Sequence, residues 1–115
     1  MKSLVIAASV AAIHLGDTAV RAETIAQFDP ETAARLQILQ PFIDEASERF
    51  GIPEAWIRAV ISAESGGRTT VNGQPITSQA GAKGPMQVMQ RTYDELRLRY
   101  GLGPDPADPE QNILA

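Results

Sequence analysis

The sequence has no cysteine, and its only histidine is His14. Without cysteine the chain cannot form disulfide bonds, thiolate zinc sites or a cysteine nucleophile. With one histidine it cannot build a histidine-rich metal site, and a Ser-His-Asp triad is excluded from the mature protein if the segment carrying His14 is removed. The sequence therefore predicts no metal site, and we expect no cofactor.

Positive charge is also sparse. The 10 lysine and arginine residues are outnumbered by 14 aspartate and glutamate residues, and the net charge is -4. The basic residues are scattered rather than gathered in a stripe, so the chain lacks the charge pattern of proteins that bind nucleic acid or anionic lipid. With 115 residues, 43% of them hydrophobic and 21% charged, the composition is that of one small folded domain. We predict no nucleic-acid partner.

The first 22 residues have the three-part layout of a secretory signal peptide. Lys2 precedes an apolar stretch over residues 4–15, and Val20 and Ala22 stand where signal peptidase accepts small side chains. The apolar stretch is too short to span a bilayer. A buried N-terminal helix is the alternative, but the segment is not amphipathic. We therefore predict a signal peptide over residues 1–22 and a periplasmic or secreted protein with no integral membrane span after cleavage.

The rest of the chain is patterned as helices joined by turns. Asp29 and Pro30 form an N-cap and first-turn pair, which predicts a helix to about Gln40. Pro41 either begins a second segment or kinks a continuous helix. We predict residues 23–41 to be an N-terminal helical extension. One apolar stripe with three- and four-residue spacing continues across the proline: Leu36, Leu39, Ile43, Ala46 and Phe50.

A second helix is predicted after Gly51, a left-handed cap, with Pro53 at its start. Within "PEAWIRAVISAE", helical periodicity separates a buried face from a solvent face. The buried face is predicted to hold Trp56, Ile57, Val60 and Ile61, and the solvent face Glu54 and Arg58.

The chain after this helix is rich in turn signals. Residues 66–84 predict an irregular polar connection or a small hairpin around "VNGQPIT", and "GPMQVM" predicts a short helical turn. Thr92 with Glu95 predicts a capping box for a helix that ends near Gly101. The start of one more helix is predicted from its N-cap, its first residue and its box partner: Asp108, Pro109 and Gln111.

A glutamate at the end of the second helix raises a chemical question. In "ISAESGG", Glu64 lies three residues after Ile61 and four after Val60, at the C-terminal end of the predicted buried stripe. Desolvation and the partial negative charge of a helix C-terminus both favour a neutral carboxyl. A carboxyl that is protonated near neutral pH can act as the general acid of glycoside cleavage. Position alone favours the alternative, a solvated glutamate in a last helical turn.

Four sequence elements in order give this glutamate a context. They are Glu64-Ser65, then Ser78 ahead of Gly81-Ala82, then Gly84 with Met86 and Gln87, then Asn112-Ile113. Together they resemble the lytic transglycosylase catalytic (SLT) domain, a goose-type-lysozyme-like helical fold that acts on peptidoglycan. The resemblance covers about residues 42–115. It implies a mainly helical domain of the α+β lysozyme-like superfamily, with a long polar loop between the catalytic helix and the next helix.

The sequence departs from the family pattern at three places. Pro85 replaces the usual leucine, and Gln79 stands where a proline is frequent. The family also continues past Asn-Ile through the rest of that helix and a tyrosine-asparagine segment. These 115 residues thus resemble the N-terminal part of the domain, apparently truncated at the C-terminus.

The resemblance implies a reaction on peptidoglycan glycan strands. Glu64 would protonate the oxygen between N-acetylmuramic acid and N-acetylglucosamine, and then accept the proton of the muramic 6-hydroxyl as a 1,6-anhydro sugar forms. Ser65, Ser78, Met86 and Gln87 would bind substrate. For Ser65 a helix-capping role is equally open, and Met86 is expected to line the groove or belong to the core. For the two acidic residues that could serve as a second carboxylate, capping of their own helix is the better interpretation: Asp94 and Glu95.

Two other functions stay open at this point. One is a non-catalytic peptidoglycan-binding or envelope-assembly protein that retains the glutamate. The other is a lysozyme-type muramidase that uses the same acid. Wall growth, recycling, and a cell-envelope secretion or conjugation apparatus as partner are all compatible with the sequence.

The predicted signal peptide has a direct test. Cleavage after Ala22 should give envelope-fraction protein whose N-terminus is Glu23 or a residue close to it. N-terminal sequencing of that protein checks this. Retention of Met1 would contradict a cleaved signal.

Overall fold

The computed structural model describes residues 28–115, so the predicted signal peptide and residues 23–27 of the predicted extension lie outside the described residues. Within residues 28–115, no helix is both long enough and apolar enough to cross a membrane. The described chain is mainly helical, as the sequence predicts. Its elements are α1 (Pro30–Phe50), α2 (Glu54–Ser65), β1 (Thr70–Val71), β2 (Gln74–Pro75), α3 (Gln90–Tyr100) and α4 (Pro109–Leu114).

Helix α1 begins and ends at the residues that the sequence indicates. The Asp29 carboxylate accepts hydrogen bonds from the backbone N–H of Thr32 at 2.9 Å and from its hydroxyl at 2.8 Å. Gly51 closes the helix in the left-handed conformation, with φ of 66°. Between them α1 is continuous through Pro41, so the predicted boundary between residues 41 and 42 falls inside one helix. Pro41 is exposed, and water can bond to the carbonyl that lacks its helical N–H partner.

The buried stripe of α1 forms one side of the hydrophobic core. Helices α2 and α4 both pack on α1. The two largest aliphatic side chains with no exposed surface are Ile43 of α1 and Ile61 of α2. The core cluster consists of Leu36, Leu39, Ile43, Ala46, Ile57, Ile61, Tyr93, Leu102, Ile113 and Leu114.

Two features of α2 differ from the sequence prediction. Trp56 and Val60 are only half-buried. Arg58, predicted to face water, is buried: its Nη2 donates to Gln40 Oε1 at 2.7 Å and to Glu54 Oε1 at 3.0 Å. The prediction for Arg58 was wrong because α1 lies alongside this face of α2 and removes the Glu54–Arg58 pair from solvent. Helical periodicity within α2 carries no information about that neighbour.

The connection after α2 contains the predicted hairpin. Strands β1 and β2 pair antiparallel, Thr70 with Pro75 and Val71 with Gln74. Asn72 and Gly73 between them both have positive φ, 54° and 77°, which is the requirement of a two-residue hairpin turn.

The predicted short helical turn in "GPMQVM" is wrong. Lys83 and Val88 exchange two backbone hydrogen bonds of 2.9 Å each, and the Gln87 N–H donates to the Gly84 carbonyl at 3.0 Å. Residues 84–87, hereafter the GPMQ turn, therefore reverse the chain. Left-handed φ values at Gly84 (74°) and Gln87 (53°) exclude a helix here, and Pro85 suits the second position of such a turn.

The predicted capping box of α3 is also wrong. The helix begins at Gln90, after Met89, and the N–H of Tyr93 already donates to the Met89 carbonyl at 2.9 Å. Thr92 thus lies inside the first turn and cannot be its N-cap. The two acidic residues predicted to cap this helix instead pair one turn back: Asp94 accepts from Gln90 at 2.8 Å, and Glu95 lies 3.7 Å from Arg91. The helix ends at Gly101, as predicted.

Helix α4 has the predicted N-cap. Asp108 Oδ1 accepts from the N–H groups of Glu110 at 3.0 Å and Gln111 at 3.3 Å. Gln111 is not the box partner, because its Oε1 accepts instead from the N–H of Gly103 at 2.6 Å. The carbonyl of Gly103 accepts from the Tyr93 hydroxyl at 2.7 Å, so the segment before α4 is bonded to both α3 and α4.

The contact between α1 and α4 makes stability depend on pH. The neighbouring Glu110 carboxyl raises the pKa of Glu45, first by hydrogen bonding and also by its negative charge. Burial raises this pKa as well, and the charge of Arg49 lowers it. Protonated Glu45 stabilises the fold at pH values below its ordinary pKa of 4.5. This contribution is lost as the pH rises through the raised pKa of the folded state.

Glu45→Gln should therefore raise the melting temperature at pH 7 and leave it nearly unchanged at about pH 3. Glu48→Gln, an exposed position on α1, should show no such dependence. Equal responses of the two variants in calorimetry would contradict the assignment.

Candidate active site

Glu64 lies in the last turn of α2 and is half-buried. The helix ends at Gly66, whose N–H donates to the carbonyls of Ile61 and Ser62 at 3.1 Å each. Among residues 28–115, no group donates a hydrogen bond to the Glu64 carboxylate. The side chain thus stands at the end of the buried face of α2, with part of its surface in water.

Ser65 secures the end of α2. It is buried, its hydroxyl donates to the Ile61 carbonyl at 3.1 Å, and its oxygen accepts from the N–H of Gly67 at 3.1 Å. The sequence leaves helix capping and substrate binding open for Ser65, and this geometry gives it the capping contact. A contact of Ser65 with substrate stays a prediction.

Two guanidinium groups bind the carbonyl end of the same helix. Arg35 of α1 donates to the Gly66 carbonyl at 3.4 Å, and Arg68 donates to the Ser65 carbonyl at 3.2 Å. Cations at this end offset the partial negative charge of the helix C-terminus.

Ser78 lies on the exposed part of the loop between β2 and the GPMQ turn. Its backbone N–H donates to the Ala82 carbonyl at 2.9 Å, and its Oγ accepts from the Ala82 N–H at 3.0 Å. The hydroxyl proton of Ser78 is not used in this contact. The loop is joined to the GPMQ turn through Lys83, which pairs with Thr77 on one side and Val88 on the other.

Met86 and Gln87 lie within the GPMQ turn. Gln87 folds back so that its Nε2 donates to the Gly84 carbonyl at 2.9 Å. Met86 is half-buried and packs against the core. With Val60 of α2 it lines an apolar cavity of about 400 Å³, so the turn lies beside the apolar face of α2. Met86 therefore belongs in part to the core, and its contact with substrate stays a prediction.

Asn112 is the residue whose role only the fold reveals. Its side chain has no exposed surface and lies on α4, distant in sequence from the turn that it contacts. Its Oδ1 accepts from the N–H of Met86 at 2.7 Å, and its Nδ2 donates to the carbonyls of Lys83 at 2.8 Å and Pro106 at 2.7 Å. Asn112 belongs to one of the four sequence elements, but nothing local in the sequence indicates these partners.

The described residues give no arrangement for a metal. Within residues 28–115, no cluster of three or more His, Cys, Asp or Glu side chains could hold a metal ion.

The sequence profile of the transglycosylase SLT domain matches residues 41–115. The match covers more than half of the chain and includes Glu64, the GPMQ turn and Asn112. The chain therefore belongs to the transglycosylase SLT domain family. No solved structure gives a significant match.

Family membership and the mainly helical fold confirm the lysozyme-like architecture expected from the four sequence elements. The family implies peptidoglycan as substrate and is typically associated with the cell envelope.

The packing between Gly84 and Asn112 predicts a large effect of one methyl group. A Cβ on Gly84 would overlap the Asn112 carboxamide, whereas a Cβ on Gly73 would meet no atom within 4 Å. Both glycines have φ above 70°, so Gly→Ala adds a similar backbone strain, about 1–2 kcal/mol, at each. Gly84→Ala should lower the free energy of unfolding by about 3 kcal/mol or more, because overpacking adds to the strain. Urea denaturation of both variants measures the difference. Equal losses of unfolding free energy in the two variants would show that the Asn112 carboxamide can move to make room for the added methyl group.

Proposed function

We propose that this protein is a lytic transglycosylase. It cleaves the β-1,4 bond between N-acetylmuramic acid and N-acetylglucosamine in peptidoglycan and forms 1,6-anhydro-N-acetylmuramic acid. The observation that carries the proposal is the place of Glu64, half-buried at the end of α2 in a chain of the transglycosylase SLT family. The substrate partners are peptidoglycan glycan strands. We expect the protein to act in the periplasm or outside the cell.

One carboxyl group is sufficient for this reaction. In the first step Glu64 gives its proton to the bridging oxygen as the bond from that oxygen to the muramic anomeric carbon breaks, and N-acetylglucosamine leaves with a hydroxyl group. In the second step the muramic 6-oxygen bonds to the anomeric carbon, and its proton returns to the Glu64 carboxylate. No water is consumed, and the acid is restored.

The position of Glu64 is compatible with both steps. Its side chain is partly open to solvent, and no group among residues 28–115 holds the carboxylate in a hydrogen bond. A bound glycan would cover that open part and remove the remaining water, which strengthens the interaction between the carboxyl and the glycosidic oxygen. In this proposal the bound substrate completes the desolvation of the Glu64 carboxyl, which the fold leaves half-buried.

The residues predicted to bind the glycan retain unused polar groups. Gln87 uses one of its two amide protons in the bond to Gly84, which leaves the other proton and its oxygen for a sugar acetamido or hydroxyl group. Ser78 uses its oxygen as an acceptor, so its hydroxyl proton can be donated to substrate. Met86 offers apolar surface at the same turn, and Ser65 keeps the end of α2 in place.

A matched pair of variants tests the chemistry. Glu64→Gln preserves side-chain shape but removes the transferable proton, so turnover of peptidoglycan should fall at least about a hundredfold. Glycan binding and the melting temperature should change little. Glu95→Gln makes the same change at an exposed residue whose one ion pair within residues 28–115 is with Arg91 at 3.7 Å, so turnover should be retained. The measurement is the release of anhydro-muropeptides by mass spectrometry.

The same mass spectra separate the alternative functions. A product heavier by one water molecule would identify a lysozyme-type hydrolase. Glycan binding without any product would identify a non-catalytic binding or assembly protein. Release of anhydro product by Glu64→Gln at nearly the wild-type rate would remove Glu64 from the mechanism.

A further inference from the structure

The GPMQ turn presents a problem of backbone hydrogen bonding. Gly84 and Pro85 are buried, and buried N–H and C=O groups require partners. The N–H of Gly84 donates to the Ile76 carbonyl at 3.0 Å, that of Gln87 donates to Gly84, and that of Val88 donates to Lys83. Pro85 has no N–H. One donor of the turn, the N–H of Met86, is therefore left without a backbone acceptor among the described residues.

Asn112 satisfies this donor and two carbonyls at once. Its oxygen accepts from Met86, and both of its amide protons are donated, to Lys83 and to Pro106. An asparagine carboxamide offers two donors and one acceptor group, so every part of it is used. Aspartate has nearly the same shape but, when ionised, offers only acceptors, which would face the carbonyl oxygens of Lys83 and Pro106.

The carboxamide also fixes the turn by contact. It lies directly against Gly84, where a Cβ would overlap it. Helix α4, which carries Asn112, is itself held by its N-cap Asp108 and by Ile113 and Leu114 in the core. The position of the turn is thus fixed by the same hydrophobic core against which α2 packs.

We propose that Asn112 is a positioning residue for glycan binding. It holds the backbone of residues 83–86 so that Met86 and Gln87 face the glycan beside the end of α2. Asn112 itself does not touch substrate, since its side chain has no exposed surface. The inference rests on the proposed function for the identity of the ligand.

The test compares two amide-to-carboxylate changes at neighbouring positions of α4. Asn112→Asp should raise the Kd for a muropeptide tetrasaccharide, and the KM for peptidoglycan, by at least about tenfold, or about 1.4 kcal/mol. The kcat should stay within about threefold of wild type, because Glu64 lies on α2. Gln111→Glu makes the same chemical change but retains an acceptor for the Gly103 N–H and does not contact the turn. It should leave Kd and KM unchanged even if it lowers stability.

A purely structural role for Asn112 predicts a different result. The melting temperature would fall while Kd and the ratio of KM to kcat stayed at their wild-type values, and that outcome would overturn the proposal. If wild type binds no tetrasaccharide, the proposed function fails first. If wild type binds and Asn112→Asp binds equally well, the positioning role alone fails.

A measurement on the wild-type protein covers the case in which Asn112→Asp does not fold. In a ¹⁵N-labelled sample titrated with the tetrasaccharide, the Met86 backbone amide and the buried Asn112 carboxamide should both shift, because the ligand acts on the turn that they share. The exposed Asn72 at the hairpin tip is the internal reference. Binding that leaves the Asn112 signals unmoved would overturn the coupling.

Discussion

The geometry of the candidate site depends on one unbroken helix, α1. Its apolar stripe packs against α2, which carries Glu64, and against α4, which carries Asn112. A break at Pro41 would separate the half of the stripe that holds Leu36 and Leu39 from the half that holds Ile43 and Ala46. The helix tolerates the proline because it lies on the exposed face, where water can bond to the carbonyl that lacks an N–H partner. The continuous helix thereby fixes α2 and α4 relative to each other, although no hydrogen bond within residues 28–115 joins Glu64 to the GPMQ turn.

Hydrogen-bond satisfaction is the second constraint, and it explains residues that the apolar pattern leaves unexplained. The carbonyl end of α2 is closed by Ser65 and two guanidinium groups, and the backbone of the GPMQ turn is closed by Asn112. In both places a polar side chain from a distant segment, Arg35 in the first and Asn112 in the second, binds main-chain groups. This use of side chains is economical in a small domain, because the bonds that satisfy the backbone also fix the site.

The sequence predicts what depends on neighbours along the chain. The N-caps Asp29 and Asp108, the glycine ends at Gly51 and Gly101, the Asn-Gly hairpin and the place of Glu64 at the end of α2 all follow from local rules. Two of the failures, those of Arg58 and of the GPMQ turn, have one cause in common, which is a partner supplied by another element. Arg58 is buried because α1 lies beside it, and the GPMQ turn is not helical because it pairs with Ile76 and Asn112. A motif places Asn112 in the sequence, but only the fold shows what it bonds to.

The proposed function assigns chemistry and binding to different elements of this domain. The carboxyl that would move the proton lies on α2, and the polar groups that would orient the sugar lie on a turn held by α4. Neither element alone forms a site, since Glu64 has no hydrogen-bonded partner among residues 28–115 and the GPMQ turn has no carboxylate. A glycan that spans both would bring the reacting oxygen to Glu64 by binding energy gained at the turn, which is how remote contacts contribute to orientation in catalysis. The packing of both helices on α1 supports this arrangement, because it fixes the distance between the helix that carries Glu64 and the helix that holds the turn.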